Sequence, residues 1–102
     1  MVLVLQPNEM ILRAGNSQLC EDDRQVSGKL IVTNQRIYFK TLQEEHRKCD
    51  MEIIPQEIRD LIFFNTKWIL PFGLSIITKS GIQHQFIVKN RNEWAKLITK
   101  MY

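Results

Sequence analysis

Metal binding and nucleophilic catalysis draw on a short list of side chains, and this chain has two histidines and two cysteines to offer. His46 and Cys49 stand at a spacing that two ligands of one metal can have, but two ligands are too few, and both lie in or beside a charged connection. His84 alternates with Phe86 and reads as a barrel-lining or rim residue, since no serine or cysteine nucleophile with a supporting acid lies near it in sequence. Gly28, Gly73 and Gly81 are too scattered to form a phosphate-cradling loop. The residues therefore point away from an enzyme and require neither metal nor cofactor. What remains is the chemistry of binding.

Two groups of side chains suit binding. Lys67-Trp68-Ile69-Leu70-Pro71-Phe72 combines a cation with large apolar groups, as an exposed loop does when it meets a partner or dips into a bilayer. Ile69 and Phe72 are equally suited to filling a barrel mouth, whereas Trp68 is expected outside with Lys67 beside it. The second group, Lys29, Ile31, Arg36, Tyr38 and Lys40, comes from a strand pattern.

That pattern is the run from Gly28 to Phe39, GKLIVTNQRIYF, in which two alternating stretches meet at Asn34-Gln35. Folding it around a two-residue turn pairs Val32 with Ile37 and Leu30 with Phe39 on one wholly apolar face. The opposite face then carries Thr33 against Arg36, Ile31 against Tyr38 and Lys29 against Lys40. One-sided burial sets the register, because a slip of one residue would turn all four apolar side chains to water. Lys29 directly across from Lys40 is repulsive, and either a bound anion or splaying of the two chains into water would relieve it. Gln35 sits where a type I′ turn prefers glycine, which leaves a slightly longer loop as the alternative.

A length of 102 residues makes one domain, spanning 1–102 with a core of about 9–101, able to bury somewhat over ~60% of its unfolded surface. Cys20 and Cys49 form no Cys-x-x-Cys pair and no secretory leader precedes them, so a reducing cytoplasm is expected. No apolar run approaches a membrane span, which predicts a protein at most peripheral to a membrane. The net charge of +3 is too small to argue for nucleic acid. Its distribution is uneven: from Leu61 to Tyr102 six lysines or arginines face Glu93 alone, whereas Glu9 to Val26 carries four acids against two arginines. Scattered lysines also discourage edge-to-edge aggregation, so a mixed solvated surface explains the same bias.

Along the chain, Glu9 to Arg13 is expected as a first short strand and Ala14 to Gln25 as a polar loop. After the hairpin, Asp50 to Ile54 alternates up to Pro55, and Glu57 to Asn65 reads as a strand with helix as its rival. Leu74 to Lys79 and Ile82 to Lys89 flank Ser80-Gly81 as another hairpin. Trp94, Leu97, Ile98 and Met101 then switch to a helical period, with Asn90 and Glu93 as a capping-box-like start and Lys96 and Lys100 near the far end. Several short strands followed by one amphipathic helix predict a barrel or sandwich whose open end the helix closes.

The hairpin run resembles the glycine, leucine, Thr-Asn-x-Arg and aromatic pattern of GRAM domains. Ile54-Pro55 with Ile58, the stretch Pro71 to Ile76, and Phe86, Trp94 and Ile98 resemble the later landmarks of that family, so the likeness covers about Glu9 to Met101. It implies a mainly β, pleckstrin-homology-like fold: a bent seven-stranded sheet or partly open barrel capped by one C-terminal helix, without a catalytic centre. Lipid-binding relatives of that superfold place basic residues in and beside the first loop, where phosphates can be held. Here that stretch reads Glu21-Asp22-Asp23, with only Arg24 and, further on, Lys29 positive. The acidic loop weakens the phosphoinositide reading. The expected function is a binding module that engages a protein partner or itself; the alternative is a peripheral membrane adaptor for anionic lipids or phosphoinositides.

Overall fold

A computed structural model describes residues 5–21, 24–42, 49–66 and 70–102. The element order is β1 (Ile11–Glu21), β2 (Arg24–Thr33), β3 (Ile37–Thr41), β4 (Met51–Ile53), a single 3-10 turn at Pro55–Glu57, β5 (Ile58–Thr66), β6 (Leu70–Thr78), β7 (Gln83–Ile87) and α1 (Arg91–Thr99). The strands form one antiparallel seven-stranded sheet in the order β4-β3-β2-β1-β7-β6-β5. The meander β1 to β4 is joined to the meander β5 to β7 through β1 and β7, and β4 and β5 are left at the edges.

The signature hairpin has the register its alternation predicts, with Val32 opposite Ile37, Leu30 opposite Phe39, Ile31 opposite Tyr38 and Lys29 opposite Lys40. Leu30, Val32, Ile37 and Phe39 are wholly buried. Neither Asn34 nor Gln35 has a positive φ, so the turn is not type I′ and makes no demand for glycine. Thr33 holds it instead: its hydroxyl accepts hydrogen bonds from the Gln35 and Arg36 amides at 3.1 and 3.0 Å.

The sheet bends until its two halves meet. The ring of Phe39 on β3 lies 5.6 Å from that of Phe86 on β7, and Leu19, Leu74, Ile76 and Val88 complete the interior. Gly28 is required where Phe39 crosses the strand, since a Cβ there would stand 2.5 Å from both the Phe39 ring and the Lys40 carbonyl oxygen. Helix α1 closes the open end with buried Trp94 and Ile98 and partly buried Leu97, and Met101 just past its end completes the i, i+3, i+4, i+7 stripe expected.

Two local expectations are corrected and a third is borne out. Ala14 to Gln25 is not a loop: β1 runs on to Glu21 and β2 begins at Arg24, with Leu19 opposite Val26 and Ser17 opposite Gly28. Its polarity is compatible with a strand because Ser17, though buried, donates its hydroxyl to the Ile87 carbonyl, while Asn16 stays exposed. Gly15 belongs in this strand because Trp94 presses against it, leaving 3.1 Å to the position a Cβ would take. The strand expected over Glu57 to Asn65 is present in place of its rival helix, as β5 from Ile58 paired along β6, with Glu57 ending the 3-10 turn before it. Asn90 starts α1 through its carbonyl, which accepts from the Glu93 amide at 2.9 Å; its backbone is left-handed, with φ of 59°, and its side chain makes no capping bond.

Candidate interaction surfaces

The Thr-Asn-x-Arg sequence is an internal clasp, and each of its residues grips the chain segment that leads into β1. Asn34 accepts from the Met10 amide at 2.8 Å and donates to the Asn8 carbonyl at 3.0 Å, while Gln35 donates to the Pro7 carbonyl at 2.9 Å. The Thr33 hydroxyl donates to Glu9 at 2.6 Å. Arg36 closes the clasp with two bonds to Glu9, Nε at 2.8 Å and an amino nitrogen at 3.0 Å, and a third to Glu52 at 2.7 Å. The Glu9 side chain is fully buried. Its carboxyl is held down to about 2, chiefly by the Arg36 hydrogen bonds and further by Thr33 and the Gln6 amide, against the upward push of burial. The same bonds, first from Glu9 and then from Glu52, raise Arg36 above its ordinary value.

This network changes the expected outer face. Arg36 is only 9% exposed, its guanidinium 5.7 Å from the Tyr38 ring centre and its charge answered by two carboxylates, so it is not open to a ligand. Ile31, expected outside, is 3% exposed. It lies on the middle strand of three, between Ala14 of β1 and Tyr38 of β3, and its neighbours on both sides cover it. Lys29, Tyr38 and Lys40 are half-buried. The Lys29 and Lys40 repulsion is eased from within, because Lys40 pairs with Asp50 at 2.8 Å. Burial tends to raise the Asp50 carboxyl, but Lys40 and the Thr41 amide, which donates to it at 2.7 Å, bring it below its ordinary value. Sequence reasoning missed both acids. The one available signal was that Glu9 and Asp50 are acids at the ends of apolar stretches, and only folding brings them to Arg36 and Lys40.

Lys67, Trp68 and Ile69 lie outside the described residues. Leu70 begins β6, and Phe72 is half-buried at a cleft of about 640 Å³ that opens between β1 and the start of α1. Successive residues from Arg13 to Gln18 form one wall of that cleft, and Val88, Lys89, Asn90 and Trp94 face them. The Arg13 guanidinium lies 5.1 Å from the centre of the Trp94 ring. Among the described residues no aspartate or glutamate lines the cleft.

Apolar exposure is concentrated elsewhere too. On edge strand β5, Ile62 and Phe63 are 44% and 42% exposed, and Arg91 spans the gap to α1 by lying 4.4 Å over the Phe63 ring while donating to the Phe64 carbonyl. His84 sits at the rim of a smaller cleft with Cys20, Cys49 and Asp50, and burial lowers its proton affinity. Among the described residues no group of three or more His, Cys, Asp or Glu is placed to hold a metal. No helix among them is long and apolar enough to cross a membrane.

Neither a family model nor a curated protein matches the sequence. Solved structures do match the fold. The C-terminal domain of an unknown protein from Leishmania infantum superposes with a TM-score of 0.78 at 16% identity, over 91% of this chain and 84% of that one. The Vps36 N-terminal PH domain gives 0.71 at 11% identity, over 96% of this chain and 82% of that one. The N-terminally truncated linker-DH/PH domains of p115-RhoGEF give 0.70 at 10% identity, over 92% of this chain but only 29% of that one. At these identities the likeness speaks for architecture alone. Seven antiparallel strands bent around a core and closed by one C-terminal helix, with neighbours of this kind, give the chain a pleckstrin-homology-like fold.

Proposed function

We propose that this chain is a non-catalytic binding module of GRAM or pleckstrin-homology-like type that engages a protein partner or a second copy of itself. The observation that carries the reading is a pair of strand edges with no strand beside them among the described residues and apolar groups close by: β5 at the end of the sheet with Ile62 and Phe63 exposed, and the part of β1 that lies beyond its short pairing with β7. Open edges favour pairing with polypeptide, since backbone amides and carbonyls find their complement in another strand. The hairpin cations favour the same conclusion from the other side, because Arg36 and Lys40 are already neutralised by Glu9, Glu52 and Asp50.

A second reading, peripheral attachment to an anionic membrane surface, draws on the six lysines or arginines against one glutamate between Leu61 and Tyr102, and on the run Lys67 to Phe72. Size-exclusion light scattering run with co-sedimentation on phosphatidylserine vesicles separates the two. Oligomerisation or partner capture without vesicle binding supports the protein module. Salt-sensitive vesicle binding that Trp68→Ala abolishes refutes it in favour of the membrane adaptor.

A further inference from the structure

Strand β1 pairs with β2 from end to end, yet with β7 only across Gln18, Leu19 and Cys20. From Ile11 to Ser17 its second edge has no strand beside it among the described residues, and this edge forms the wall of the cleft that faces α1. Alternate residues of an antiparallel strand aim their N–H and C=O groups to the same side, so the wall presents a row of donors and acceptors without a ladder partner. We propose that this cleft receives an extended peptide segment bearing carboxylates, which adds to β1 as a further strand. The inference rests on the protein-interaction reading above and supplies its site and the chemistry of its partner.

Shape sets the extended form. Arg13 to Ser17 offers an edge about 17 Å long at ~3.3 Å per residue, enough for a short strand, and its unpaired backbone groups are met by another extended backbone rather than by a helix whose groups are bonded internally. Phe72, Val88 and Trp94 give the cleft an apolar side, so alternate side chains of the incoming segment meet hydrocarbon.

Charge sets the other alternation. Among the described residues Arg13 and Lys89 line the cleft without an acid beside them, and neither takes part in an ion pair. The hairpin's Arg36 and Lys40 are paired with carboxylates, whereas among the described residues Lys89 meets no acid and Arg13 lies against the Trp94 ring alone. Carboxylates on the incoming strand answer both, and a lysine-bearing segment is repelled.

The test is heteronuclear amide NMR with blocked peptides of about eight residues. One alternates valine and glutamate, a second replaces glutamate by lysine, and a third repeats the first with alternate backbone amides N-methylated. The acidic peptide is expected to shift resonances of residues 13–18 and 87–91 and to slow amide exchange along residues 13–17. Lys89→Glu, a change at an exposed position, weakens its binding by about tenfold, and the lysine and N-methylated peptides do not bind. Shifts confined to β5 or to Lys29 and Tyr38 overturn this site while leaving the interaction module standing. An N-methylated peptide that binds as well as its parent overturns strand addition. Silence with every peptide, together with shifts at the same residues on adding phosphatidylserine bicelles, overturns both readings.

Discussion

Removing one member of the Glu9, Arg36 and Glu52 network tests whether the Thr-Asn-x-Arg sequence is an internal clasp. The Glu9 carboxyl falls from an ordinary 4.5 to about 2 in the folded chain. At about 1.4 kcal/mol per pKa unit that is a ceiling of ~3 kcal/mol, and solvent at the Arg36 edge of the pair trims it to about 2 kcal/mol. Because the folded value is depressed, this stability is complete above pH ~4.5 and is lost as the pH falls toward ~2. Glu9→Gln is therefore expected to cost about 2 kcal/mol at neutral pH and only a few tenths of a kcal/mol near pH ~2, where the native carboxylate is itself half protonated. Arg36→Met keeps the stem over Tyr38 but strands a fully buried carboxylate, which costs about 3–5 kcal/mol. The double variant is expected to lose less than the sum, by a coupling of about 2 kcal/mol. Urea unfolding of the four proteins across this pH range measures all three quantities. A Glu9→Gln deficit that stays constant with pH, or an Arg36→Met cost below about 1 kcal/mol, refutes the clasp.

Gly28→Ala places a methyl 2.5 Å from the Lys40 carbonyl and the Phe39 ring, so a loss of about 1–3 kcal/mol or more is expected in thermal unfolding, with the Phe39 and Phe86 contact disturbed. Trp94→Ala opens the end of the barrel that α1 closes, and a loss of about 3–5 kcal/mol should appear in chemical denaturation. Asp50→Asn removes the partner of Lys40 but keeps an acceptor for the Thr41 amide; a cost near 1 kcal/mol is expected, shrinking as sodium chloride is raised, and a salt-independent cost would rule out the ion pair as its cause. His84 is lowered by burial, so its stabilising contribution is whole above its ordinary value of 6.5 and declines as the pH falls through the folded value; His84→Gln should flatten that part of the stability profile.

How far these features are legible in sequence depends on the range of the interaction that makes them. The register of β2 on β3 and the stripe of α1 are repeated many times within a short window, and burial of one face enforces the same answer at each repeat. The long β1 escapes that logic. Gly15, Asn16 and Ser17 read as loop residues, and become strand residues only because Trp94 needs the room at Gly15 and Ile87 offers a carbonyl to Ser17. Likewise, alternation sends Arg36 and Ile31 to the outer face correctly, but it does not say what covers that face.

By itself, then, the chain's alternation determined a β barrel or sandwich with Leu30, Val32, Ile37 and Phe39 inside and a helix to close it, because local periodicity and one-sided burial are properties of neighbouring residues. Tertiary structure alone decided which charges are spent and which are left for a partner. Arg36 and Lys40 look as available in sequence as Arg13 and Lys89, yet the first two meet Glu9, Glu52 and Asp50 while the second two line a cleft with no acid among its described residues. Ion pairing depends on distance through space, and the acids that neutralise the hairpin come close to it only when the sheet has folded.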